Sequence, residues 1–191
     1  MSRIPRMHPE GLAFLLEKIR NEKTKKGPIR RILEVGTAVG DSAIAMAELS
    51  QEITVDTVEK NIEMAQQALE NVRERALSDR VHVYLYDAID FFPPQDKRYD
   101  LIFVDAAKGQ YGAHMEHFLP YLQEGGYLLF DNMEFHGMVA HPERTANRHT
   151  KDLLRRIRRF REKMEQDARF EYSYYPEIGD GLLWLKRKGN Q

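Results

Sequence analysis

Residues 31–47 read Arg-Ile-Leu-Glu-Val-Gly-Thr-Ala-Val-Gly-Asp-Ser-Ala-Ile-Ala-Met-Ala. No other stretch restricts the fold as much. A short apolar run carries Glu34 at its end. A turn bracketed by Gly36 and Gly40 follows, and small residues from Ser42 onward open a helix. Strand, tight turn and helix form the unit at which an open α/β sheet binds a ligand. The two glycines are spaced GxxxG. A dinucleotide turn reads GxGxxG, so a dinucleotide oxidoreductase is disfavoured.

The acid matters as much as the glycines. A carboxylate at the strand end sits badly beside a pyrophosphate and well beside a cation. S-adenosylmethionine (SAM) carries a sulfonium and an ammonium and no phosphate, so Glu34 points to a SAM site. The chain has 191 residues, with 42% hydrophobic and 31% charged, which fits one globular α/β domain over 1–191. There are no cysteines, so thiolate nucleophiles, disulfides and cysteine metal sites are excluded. A signal-peptide core and a membrane-length apolar run are both absent from the sequence, and a cytoplasmic protein is expected. The net charge of −1 leaves any nucleic-acid signal to the local distribution of charge.

Helical spacing of Leu12, Leu15, Leu16 and Ile19 predicts an amphipathic helix over 10–22, within a lead-in that occupies residues 1–28. Residues 23–28 read as a charged linker. Strands are expected at 29–35, 53–58, 81–85, 101–104 and 127–130, and helices at about 41–50, 61–77 and 111–122, the last ended by Gly125-Gly126. A long basic helix is expected over 150–167, and a closing β pair at 170–175 and 182–186 around Gly179-Asp180-Gly181. Alternating strands and helices predict a parallel sheet covered on both faces. Glu34, Glu59, Asp87, Asp105 and Asp131 all fall at or just past strand C-termini, the edge where such sheets bind ligands. One acid there is ordinarily a helix cap, as Asp87 could be. Five exceed what capping explains.

Glu59 lies about twenty residues beyond the glycine turn, where a carboxylate can take both ribose hydroxyls of a nucleoside cofactor. Asp87-Ala88 could reach the adenine. Asp105, Asp131 and Asn132 offer hard oxygen ligands suited to Mg²⁺ or another divalent cation. Lys108, three residues past Asp105, could act as a general base beside that cation. In the basic helix, Leu153, Ile157, Phe160 and Met164 form an apolar stripe. Lys151, Arg155, Arg158 and Arg159 lie opposite, and their density suits RNA phosphates.

The strings RILEVGTAVGDSAIAMA, YDLIFVDAAKGQY, LLFDNMEFHGMVA and EIGDGLLWLK, in this order, resemble the metal-dependent class I SAM O-methyltransferases, the catechol and caffeoyl-CoA type. The greatest likeness is to the bacterial branch that converts 5-hydroxyuridine at the tRNA wobble position to 5-methoxyuridine. The lead-in IPRMHPEGL resembles that branch too, which implies Met7 near the SAM. The resemblance implies a Rossmann-like methyltransferase fold with a seven-stranded, mostly parallel sheet and an antiparallel last strand, and a homodimer. It also implies that Glu34, Gly36, Thr37, Gly40 and Ser42 line the methionine part of SAM, that Glu59 holds the ribose, and that Asp87 and Ala88 flank the adenine. Asp105, Asp131 and Asn132 would hold Mg²⁺, with Lys108 beside the acceptor oxygen. Tyr86 stands where glycine is usual, Asp41 replaces a common tyrosine, and the segment before the core is short. A tRNA anticodon loop is the expected partner, with a small catechol-like or acyl-CoA phenol as the alternative acceptor. A reading of another class is a non-catalytic RNA-binding protein on the same scaffold.

Overall fold

The structure, a computed structural model, describes residues 6–106 and 108–189. The first five residues of the lead-in and Ala107 of the DAAK string lie outside them. Helix α1 (Pro9–Asn21) leads into a small hairpin, β1 (Lys23–Thr24) and β2 (Gly27–Pro28). The expected linker is therefore a hairpin: Gly27 takes φ +118°, and Thr24 Oγ1 donates to Gly27 O at 3.1 Å.

The main sheet contains β3 (Arg31–Val35), β4 (Thr54–Glu59), β5 (Val81–Leu85), β6 (Tyr99–Val104), β7 (Leu122–Phe130), β8 (Phe170–Tyr175) and β9 (Leu182–Arg187). Their order is β5-β4-β3-β6-β7-β9-β8, with β9 alone running against the other strands. Helices α2 (Asp41–Glu48), α3 (Ile62–Glu74), α4 (Tyr111–Phe118) and α5 (Arg148–Gln166) complete the two outer layers. The central strands are buried on both sides, as their continuous apolar runs require. Alternate residues serve two cores. Leu33, Val35, Ile102, Val104, Leu128 and Phe130 pack with α4 and α5, while Ile32, Leu101, Phe103, Tyr127 and Leu129 pack with α1 and α2.

The chain runs outward from β3 through β4 to β5, then returns to β6 on the other side of β3. This reversal opens a crevice at the C-terminal ends of β3 and β6, the usual ligand position of doubly wound sheets.

Three local expectations change. Strand β7 begins at Leu122, and Gly125-Gly126 lies inside it instead of ending a helix. Gly125 has φ +73°, and a Cβ on Gly126 would sit 3.0 Å from Asp100 O, so the pair forms a bulge where the β6–β7 register slips. Helix α4 stops at Phe118 and continues as a 3₁₀ turn through Leu119–Tyr121, because Pro120 has no N–H for an α-helical bond. The buried stripe of α5 is Leu154, Ile157, Phe160 and Met164; Leu153 is only half-buried and lies against Gly109.

Candidate functional site

A cleft opens at the β3/β6 reversal. Gly36, Glu59, Lys60, Tyr86, Asp87, Ala88, Asp105, Ala106, Gln110 and His114 are among the residues that line it. A second hollow lies on the outer faces of α2 and α3. Its Arg6–Asp41 and Arg75–Glu48 ion pairs neutralise one another, and none of the strand-end acids reaches it.

The floor of the cleft is set by Gly36. Its N–H donates to Val58 O at 3.0 Å, while Asp105 N donates to Val35 O at 2.9 Å. The two turns meet so closely that a Cβ on Gly36 would lie 2.1 Å from Asp105 O, and Gly36 has φ +104°. Glycine alone fits there. Glu59 is held by two main-chain donors, Ala38 N at 2.8 Å and Asn61 N at 2.9 Å. It lines the cleft. Asp87 does double service: it lines the cleft, and it accepts from Ile89 N at 3.4 Å as the cap of a 3₁₀ turn. Tyr86 is 53% exposed on the rim, its ring 5.9 Å from that of Phe91.

Several expected cofactor-lining residues stand one layer back. Glu34 is fully buried and accepts hydrogen bonds from Ser42 Oγ and, at 2.5 Å, from Thr57 Oγ1. Thr37 is 2% exposed and shares a 2.6 Å hydrogen bond with Thr57. Gly40, at φ +88°, starts α2. Met7 packs on Gly11 and the outer core beside Leu182. Glu34, Thr37 and Ser42 brace the turn, and neither they nor Gly40 and Met7 are among the residues lining the cleft.

Burial raises the Glu34 carboxyl to about 8, against the bonds from Ser42 and Thr57. Below pH 4.5 the group is protonated in both folded and unfolded chains. Above that, the unfolded chain releases the proton and the folded chain keeps it until about pH 8, so stability falls as pH rises through this window. Glu34→Gln mimics the neutral acid. Its melting temperature should match wild type near pH 5 and exceed it near pH 8; a constant difference across that range would contradict a buried neutral Glu34.

Where the cleft meets Asp105, an acidic set begins and continues behind it. Val104 pairs with Phe130 in the parallel β6–β7 ladder, so the next residues, Asp105 and Asp131, stand side by side. Asp131 is 1% exposed. Its Oδ1 accepts from Asn132 N at 2.6 Å, and its Oδ2 is buried with no partner among the described residues. Burial raises both carboxyls, and for Asp131 the Asp105 charge adds to the shift. Asn132 holds φ +61°, and Lys108 Nζ donates to its Oδ1. The three expected metal ligands and the expected base thus converge. No three His, Cys, Asp or Glu side chains converge as a metal cluster among the described residues; this set has two carboxylates and an amide.

Asp180 joins this end unforeseen. Its Oδ1 accepts from His136 N at 2.5 Å, its Oδ2 is buried without a hydrogen-bond partner among the described residues and lies 3.8 Å from His136 Nδ1, and it acts on Tyr111 together with Asp105 and Asp131. The Gly179-Asp180-Gly181 turn read as a simple β connection. Main-chain bonds from Met133 N to Gly181 O and from Glu134 N to Asp180 O tie it to the loop after Asp131.

The basic stripe of α5 is partly spent. Arg155 pairs with Asp152 at 2.5 Å, and Arg158 donates to Val139 O at 2.7 Å. Lys151 is half-buried and Arg159 exposed. Sequence reasoning missed Arg156, whose guanidinium packs beside Gly109, next to Lys108.

The sequence model of the O-methyltransferase family matches residues 14–188. A caffeoyl-CoA O-methyltransferase from Stellaria longipes is 26% identical over 183 residues, covering 92% of this chain and 72% of that protein. A solved structure of the caffeoyl-CoA O-methyltransferase type from Staphylococcus aureus superposes with a TM-score of 0.87 at 28% identity, over 96% of this chain and 86% of the other. An O-methyltransferase from Bacillus cereus, solved in complex with SAH (S-adenosylhomocysteine), gives 0.77 at 26% identity over 97% and 84%. With the switch-point cleft, the fold and this match all in agreement, the chain belongs to the O-methyltransferase family.

Proposed function

We propose that the protein is a SAM- and Mg²⁺-dependent O-methyltransferase that converts 5-hydroxyuridine at the tRNA wobble position to 5-methoxyuridine. The observation that carries the reading is a cleft lined by a held carboxylate, Glu59, and by Asp105, with Asp131, Asn132 and Lys108 gathered beside Asp105. Glu59 takes the ribose hydroxyls, Gly36 lets the cofactor approach the main chain, and Tyr86, Asp87 and Ala88 surround the base.

The orphaned Asp131 Oδ2 and the raised carboxyls fit a divalent cation held by Asp105, Asp131 and Asn132. When bound, the cation supplies chelation of two neighbouring acceptor oxygens and eases loss of the hydroxyl proton. Lys108 Nζ takes that proton. The freed acceptor oxygen bonds to the methyl carbon as the carbon–sulfur bond breaks, leaving SAH. The cleft walls hold the two reactants in line.

O4 and O5 of 5-hydroxyuridine are adjacent oxygens, as are those of a catechol. Arginines with no ion pair among the described residues favour the RNA. Arg156 lies beside Gly109 and Arg144 beside Gly137, with Arg159 exposed farther along α5. An anticodon base is single-stranded and can be splayed into a pocket. Methylation of tRNA should weaken steeply with salt. Arg156→Glu with Arg159→Glu should raise the KM for tRNA by at least about tenfold, leaving SAM binding unchanged. Unaltered tRNA kinetics in this double variant would remove the RNA role of α5. The second reading, a small catechol-like or acyl-CoA phenol, draws on the named activity of the Stellaria relative.

A further inference from the structure

His114 sits on α4 and is 1% exposed, yet it lines the cleft with Tyr86, Asp87 and Ala88. Its Nδ1 is buried with no partner among the described residues. The other histidine of this helix is different. His117 shares a 2.8 Å hydrogen bond with Phe91 O and packs edge-on against Phe92 and Phe118, so the fold accounts for its ring. Leaving a buried imidazole nitrogen unpaired costs about 1–3 kcal/mol. A histidine serving only as core filling gains nothing over phenylalanine for that cost.

Its position along the cleft names the ligand group. Helix α4 packs against the Ala88–Asp90 turn, and Asp87, His117 and Lys60 are the charged or titratable groups that act on His114, so it stands on the Asp87–Ala88 side of the cleft. Burial lowers its pKa, so the ring is neutral at neutral pH and presents one donor and one acceptor nitrogen. Adenine offers a hydrogen-bond donor in its exocyclic amino group.

We infer that His114 is a specificity-determining residue for the cofactor's purine base, accepting a hydrogen bond from the exocyclic amino group. The inference rests on the reading of the cleft as a SAM site. A polar site of this kind rejects an analogue that lacks the matching group, because its own buried atom is then left unpaired.

The test is calorimetric binding of SAH and of its 6-desamino purine analogue to wild type and to His114→Phe, a double-difference measurement. Wild type should prefer SAH by about tenfold, and H114F should bind both ligands alike, near the affinity of wild type for the analogue. A tenfold preference retained in H114F, or no preference in wild type, would overturn the inference. If H114F does not fold, His114→Leu is read in the same way. Failure of wild type to bind either ligand would instead bring down the assignment of the cleft to SAM.

Discussion

Gly36→Ala should abolish measurable SAM binding and lower the melting temperature by about 10 °C. Two independent costs act at this one position. A non-glycine residue in the left-handed region costs about 1–3 kcal/mol. The added Cβ would also stand 2.1 Å from Asp105 O, a main-chain atom in the neighbouring strand end that cannot swing aside. Either the β3 turn or the β6 turn must move, and both frame the cleft. A loss of about 3 kcal/mol corresponds to roughly 10 °C for a chain of this size. Differential scanning calorimetry and SAH titration check the two effects. Wild-type binding by G36A would mean that the two turns are not in contact.

The second large effect is expected at Lys108. Lys108→Met should reduce kcat by about 10²- to 10⁴-fold, the usual range for losing a positioned general base. The affinity for SAH should stay within about twofold, because Lys108 faces Asn132 and is not among the residues that line the cleft with Glu59, Tyr86 and Asp87. Lys108→Arg should not restore the rate, since a guanidinium remains protonated and cannot accept the hydroxyl proton. Full activity in K108M would leave the proton to solvent and reduce Lys108 to a surface residue of the loop.

The strand-end acids made much of this site legible in the sequence. Asp105 and Asp131 follow apolar runs that can only be buried parallel strands, so their adjacency follows from the sheet. Gly36 was legible for the same reason. Which layer each turn residue occupies was not. Glu34 alternates with Leu33 and Val35, but the strand is buried on both faces, so period-two reasoning cannot tell a cleft wall from a brace. Gly125-Gly126 has the composition of a helix stop, and only the close approach of Asp100 O shows why the strand needs it. His114 and Asp180 carry no local signal. One lies on an ordinary amphipathic helix and the other in a glycine turn, and only tertiary packing brings His114 to the cleft and Asp180 to the loop after Asp131. The arginines of α5 show the converse. Their spacing marks a basic face, but Asp152 and Val139 O take two of them, while Arg156 is the one beside Gly109.

The central claim is a metal-assisted methyl transfer to the wobble base. It is tested most directly by incubating the protein with SAM carrying a labelled methyl group and tRNA containing 5-hydroxyuridine, with Mg²⁺ or with EDTA, and analysing the nucleosides by mass spectrometry. The account predicts labelled 5-methoxyuridine that appears with Mg²⁺ and disappears with EDTA. Absence of label in tRNA, with methylation of a catechol under the same conditions, would contradict the RNA assignment. Methylation undiminished by EDTA would contradict the role given to Asp105, Asp131 and Asn132.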